Sequence, residues 1–207
     1  MNQRLVWNFE INPTPPLDLL SLAKDEKDKL KWEARYFWPE NTIVTLIGLN
    51  DSFLDLGNYE IKHRNDNYLL LPDSDYNIKQ RRDELQYKPL LQKIDNIRAY
   101  GKKIDLNQPM MPNHSHNTEN ASLTNLLTQV QDKAVHVAVH KIVLIYKFPT
   151  TPAIKLELAR LTVYEKIYFS VCIEGRSQLL VSHIAKHLLV NHVSCDYVNF
   201  LRPLQKS

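Results

Sequence analysis

The chain has 207 residues, 43% of them hydrophobic, which suffices for one sizeable core and a single domain over 1–207, and its net charge is only +3. With no block of five or six like charges, this mild excess does not argue for nucleic acid; no apolar run approaches the ~20 residues of a membrane span, and four glycines leave no room for the usual nucleotide loops. Cys172 and Cys195 form no C-x-x-C, as expected of a reduced, cytoplasmic protein.

Residues 1–16 read as extended and then proline-punctuated (Pro13, Pro15, Pro16), beginning an N-terminal extension over 1–30. Leu17, Leu19, Leu20 and Leu22, followed by mixed charge, predict a short helix over 17–30. In 31–38, Lys31, Glu33, Arg35 and Phe37 alternate with Trp32, Ala34, Tyr36 and Trp38, a strand with one charged and one aromatic face. Pro39 ends it, and 39–48 reads as a short helix stopping near Gly48.

Residues 59–88 organise the rest. Three runs alternate with period two. Glu60, Lys62 and Arg64 share one side, then Lys79 and Arg81, then Glu84, Gln86 and Lys88. Turns are expected at Asn65-Asp66-Asn67, at Pro72-Asp73-Ser74-Asp75 and at Arg82-Asp83. This predicts an antiparallel sheet with one apolar face and one face crowded with cations. A plain solvated sheet face would produce the same pattern.

Residues 89–104 read as helical or irregular. The polar, turn-rich stretch within 105–122 reads as a mobile insertion. Leu123, Leu126, Leu127 and Val130 have helical spacing, with Ser122 as the expected N-cap of a helix over 122–134. Residues 135–148, 154–163 and 166–175 read as strands, the last two joined at Tyr164-Glu165. Ser177 caps a helix with Leu179, Leu180, Ile184, Ala185 and Leu188 on its apolar side, and the tail after it packs back on the body. At least seven antiparallel strands with three or four helices make an α+β architecture.

Charge recurs at alternate positions on nearly every strand. An open sheet with one wet face explains it, and so does a sheet curled into a barrel with a polar lumen. In the second arrangement carboxylates and cations share one enclosed space, as metal-assisted phosphoryl chemistry requires.

Several segments resemble the CYTH superfamily, the triphosphate tunnel metalloenzymes, over roughly 31–88 and 135–176. Lys31-Trp32-Glu33-Ala34-Arg35 stands where the family has E-x-E-x-K. Asp66 to Asp73 is similar to its D-x-Y strand and turn, Lys79-Gln80-Arg81 to its [KR]-x-R, and Leu85 to Lys88 to its strand ending in lysine. His140-Lys141 is similar to a further basic strand, and 155–158 and 170–174 to its acidic strands. The resemblance implies a large antiparallel sheet curled into a tunnel with flanking helices, whose ligand is a triphosphate or other polyanionic phosphate compound. It implies Arg35, Arg64, Lys79, Arg81, Lys88 and Lys141 as phosphate-binding residues. Glu33, Glu157 and Glu174 would be ligands of Mg²⁺ or Mn²⁺, with possible hydrolysis of the bound compound.

The chain departs from the pattern at Lys31, which replaces the first glutamate, at Arg35 for lysine, at Val143 for arginine, and at Cys172 where an acidic residue is usual. A site short of carboxylates holds a hard dication weakly. The alternative reading is therefore a non-catalytic module that binds a ligand or a partner protein on the same fold. Single-stranded RNA binding fits less well, because Trp32, Tyr36, Tyr59 and Tyr87 alternate away from the basic face. His183 and His187, at i and i+4, lack the H-E-x-x-H of a zinc helix and read as a solvated face.

Overall fold

The computed structural model describes residues 1–19, 24–108 and 117–206. Two sheets share the largest of three buried apolar clusters. The smaller joins β1 (Gln3–Val6), β2 (Phe9–Asn12) and β4 (Val44–Ile47) in the order β1-β2-β4. The larger holds β3 (Lys31–Pro39), β5 (Glu60–Leu70), β6 (Asn77–Arg81), β7 (Glu84–Lys88), β8 (Leu90–Ile94), β9 (Ile97–Tyr100) and β10 (Ile104–Asp105). Its remaining strands are β11 (Val135–Lys147), β12 (Lys155–Val163) and β13 (Lys166–Gly175). Their spatial order is β10-β7-β6-β5-β11-β12-β13-β3-β9-β8, with every pairing antiparallel.

This ten-stranded sheet curls into a half-barrel. β7 and β3 lie six strand steps apart, about 29 Å in a flat sheet. Lys88 Nζ on β7 nevertheless sits 2.9 Å from Glu33 Oε2 on β3, far closer than a flat sheet allows. The chain itself ties the two margins together: Pro89 is the single residue between β7, near one edge, and β8, at the other.

The outward face carries the main core. Trp32, Tyr36 and Trp38 are buried with Phe9, Ile11 and Leu46 of the small sheet and with Leu180, Val181 and Ile184 of α2 (Gln178–Leu188). Ser177 caps α2 by accepting from Leu180 N at 3.0 Å. The aromatic face of 31–38 is thus packed as its alternation predicts, removing ~150–250 Å² per ring from water. Val181, not Leu179, completes the apolar stripe of α2; Leu179 points to solvent. No helix among the described residues is long and apolar enough to cross a membrane.

Several expected elements differ. Residues 39–48 hold no helix: Val44 and Leu46 are buried, and β4 pairs in parallel with β2. β-branched Val44, Thr45 and Ile47 suit that pleat better than a helix. No helix forms in the described part of 17–30 either; there the backbone amides of Asp25 and Asp28 bond the carbonyls of Thr151 and Arg176 at 2.8 Å, so tertiary partners replace helical ones. Leu20 and Leu22 lie outside the described residues. The 89–104 stretch forms β8 and β9, with Ile97 to Tyr100 all buried. Asn65-Asp66-Asn67 makes no turn; β5 runs unbroken through it because β11 supplies eleven paired residues along its length. α1 spans Asn117–Lys133, so Ser122 is inside the helix and not its cap. Of the predicted 105–122 insertion, Asp105 belongs to β10, 117–122 are helical, and 109–116, with His114 and His116, lie outside the described residues.

Candidate functional site

The inward positions of the half-barrel meet in one recess of about 610 Å³. All nine sequence-predicted residues line it: Arg35 and Glu33 from β3, Arg64 from β5, Lys79 and Arg81 from β6, Lys88 from β7, Lys141 from β11, Glu157 from β12, and Glu174 from β13. Period-two alternation brings them together, because every strand of a curled sheet sends one face inward.

Four carboxylates hold the cations in ion pairs. Glu33 accepts from Arg35 Nε at 3.0 Å and from Lys88 Nζ at 2.9 Å. Glu157 accepts from Arg35 Nη1 at 3.1 Å and from Arg64 Nη1 at 3.0 Å. Glu174 pairs with Lys31 at 2.7 Å. Asp66, fully enclosed, serves Lys79 at 3.2 Å, Lys141 at 2.8 Å and Arg81.

The charge does not balance. Eleven lysine and arginine side chains line the recess against three glutamates, with Asp66 beneath them. The carboxyls respond in one direction. Burial alone would raise Glu33, Asp66 and Glu157, but the surrounding cations hold all three below the usual carboxylate range, Glu157 at about 2. Two lysines respond in the other. Burial brings Lys141 down to about 8 despite its contact with Asp66. Burial, aided by the charge of Lys141, holds Lys79 well below its ordinary value. One carboxylate cannot compensate three cations in a desolvated space.

Four site residues were not among those predicted. Asp66 and Tyr68 are in phase with Glu60, Lys62 and Arg64 on β5, but reading 65–67 as a turn breaks that phase. Tyr100 lies under Lys88, whose Nζ is 3.9 Å from the ring centroid. Tyr197 comes from the C-terminal α3 (Tyr197–Leu201) and stacks on Tyr68 with centroids 4.7 Å apart. Lys141 Nζ lies 3.7 Å above the Tyr197 ring and 2.9 Å from Tyr68 Oη. Nothing local in the tail announces this placement.

As a resident site for Mg²⁺ or Mn²⁺ the donor set fits poorly. Glu33 and Glu174 group with Cys172 Sγ, all within 4.8 Å of one another, while Glu157 lies outside the group. Both oxygens of Glu33 and both of Glu157 are taken by cations. Burial pushes the Cys172 thiol up, which keeps it protonated, and hard dications prefer oxygen. Five histidines lie elsewhere: His183 is exposed, His187 Nε2 lies 3.0 Å from Pro15 O, and His192 packs edge-on against Trp38. His136 and His140 bond Asn67 and Asn65 on the outer face of the sheet.

No family model matches this sequence, and no curated protein matches it. Among solved structures, a "putative adenylate cyclase" from Bacillus halodurans, determined at 2.12 Å resolution, aligns with a TM-score of 0.40 at 9% identity, covering 83% of this chain and 96% of that one. A likeness of this size carries no chemistry, so the function is argued from the recess itself.

Proposed function

We propose that the recess binds a short polyanionic phosphate compound. One observation carries the reading: three cations, Lys79, Arg81 and Lys141, converge on the single carboxylate of Asp66 inside a recess lined by eleven cations. Burying excess charge of one sign is costly unless a counter-charge arrives, and a polyphosphate supplies it. Arg35, Arg64 and Arg81 offer planar forks to phosphate oxygens, and Lys79, Lys88 and Lys141 offer point charges. The resemblance of 31–88 and 135–176 to the triphosphate tunnel proteins supports the same class of ligand. Glu33, Glu157 and Glu174 are the carboxylates that would face Mg²⁺ or Mn²⁺ if the ligand brought one, and the ion would neutralise phosphate charge. The clamped cations would also stabilise charge on a phosphoryl group undergoing hydrolysis.

Thermal unfolding with and without inorganic tripolyphosphate tests the reading. Ligand at a hundred times its Kd adds about 2.7 kcal/mol to the folded state, or about 5–10 °C in Tm for a chain of this size. Lys79→Ala combined with Arg81→Ala abolishes the shift. Absence of a shift in the wild type at low salt, where electrostatics are least screened, overturns phosphate binding and favours the protein-interaction module.

A further inference from the structure

The inward face is not charged along its whole length. On β3 the inward residues run Lys31, Glu33, Arg35 and then Phe37. On β5 they run Lys62, Arg64, Asp66 and then Tyr68 and Leu70. On β12 they run Lys155, Glu157 and then Ala159, Leu161 and Val163. Each of these three strands thus changes from charged to apolar in the same direction along the half-barrel.

The apolar end is filled. Tyr197, Val198 and Leu201 of α3 are buried among Leu70, Val137, Val139, Leu161 and Val163. Phe200 stacks on Phe37 with centroids 4.0 Å apart and planes 1° from parallel. Both ends of the segment are fastened. Asp196 caps α3 and lies 3.3 Å from Arg98 Nε, while Arg202 bonds Asp75 at 2.9 Å and the Leu71 carbonyl at 3.4 Å. The recess is lined by Tyr197 but by neither Val198 nor Leu201, so it stops at the tyrosine ring.

We infer that α3 makes the lumen a blind cup, so that the protein takes a phosphate chain by its free end and does not bind the interior of a long one. This rests on the phosphate-binding reading above. From Lys31 at the mouth to Arg35 beside the floor is four residues of strand, about 13 Å, room for about three to four phosphate groups in line. The terminal phosphate, which bears the most charge per group, then meets Lys141 and Arg35 above the Tyr197 ring. The interior of a nucleic-acid strand or of a polyphosphate has no such terminus, and it cannot pass through packed Val198 and Leu201. The ligand class is therefore a linear oligophosphate, free or carried as the end of a larger molecule.

The full wild-type chain serves for the test, at physiological ionic strength so that loose surface association is screened. Linear polyphosphates of two different mean lengths are titrated, and the number of protein molecules per chain is read by calorimetry and by sedimentation. A blind cup gives two proteins per chain, one at each terminus, whatever the length. Inorganic tripolyphosphate binds one to one, and cyclic trimetaphosphate, which has no terminus, binds at least about ten-fold more weakly, the discrimination expected from losing charged hydrogen bonds at the floor. Stoichiometry that grows with chain length, or equal affinity for the cyclic and linear compounds, overturns the inference while leaving phosphate binding intact. No binding of tripolyphosphate or of either polymer overturns phosphate binding and the inference with it.

Discussion

Replacing Lys141 with methionine removes the most deeply buried cation of the recess at little change in length. Lys141 faces Asp66 and Tyr68 from β5, Tyr197 from α3, Arg35 from β3, Glu157 from β12 and Lys79 from β6. Burial lowers its pKa from 10.5 to about 8, a difference worth about 3 kcal/mol. The sign follows from linkage. Between pH 8 and 10.5 the unfolded chain holds the proton that the folded one has released, so folding stability rises with pH across that window. Below pH 8 the wild type bears the full penalty of a buried charge, and the variant does not. The stability of Lys141→Met relative to wild type therefore shrinks by about 2–3 kcal/mol between pH 7 and pH 10, or about 5–10 °C in Tm. Urea unfolding at pH 7, 8, 9 and 10 reads the difference directly. Lys79, held down in part by the charge of Lys141, is less shifted in the variant, so its titration adds to the shrinkage in the same direction. The buried tyrosines Tyr68 and Tyr197, whose pKa values are raised mainly by burial and which weaken both proteins above about pH 10, largely cancel in that comparison. A relative stability that stays constant with pH, or grows, refutes the claim that Lys141 is held as an undercompensated cation.

Two more outcomes follow from the same geometry. Tyr197 Oη is buried without a hydrogen-bond partner among the described residues, so Tyr197→Phe stabilises the ligand-free protein by about 1 kcal/mol in urea unfolding, and a loss of stability shows that the hydroxyl is satisfied. Glu157→Gln frees Arg35 and Arg64 from their shared carboxylate. It lowers ligand-free stability by about 3 kcal/mol and tightens tripolyphosphate binding in calorimetry without added metal. A ten-fold weakening there would assign Glu157 to holding the ligand instead of competing with it.

The sequence by itself determined the strands from 31 to 38 and from 135 to 175, because a pleat alternates its faces and those residues alternate charge with apolar bulk. The same alternation determined which side chains point inward, and so most of the recess. It could not assign 39–48 or 89–104, where burial by partners distant in sequence overrides local preference. It also missed Asp66, since Asn-Asp-Asn has turn chemistry and only pairing with β11 holds it extended. Tertiary structure alone decided three further things. The curl that brings Lys88 to Glu33 depends on pairing across seven strands. Of the ion pairs on the expected metal carboxylates, that of Lys88 with Glu33 depends on the curl, while Arg35 and Arg64 reach Glu157 from two strands away on either side. The closed end depends on a tail whose Tyr197, Val198 and Leu201 fit an apolar lumen assembled from strands far away in the chain. Local sequence encodes which way a side chain faces; which residues then share a space is a non-local property of the folded chain, and the site's chemistry rests on it.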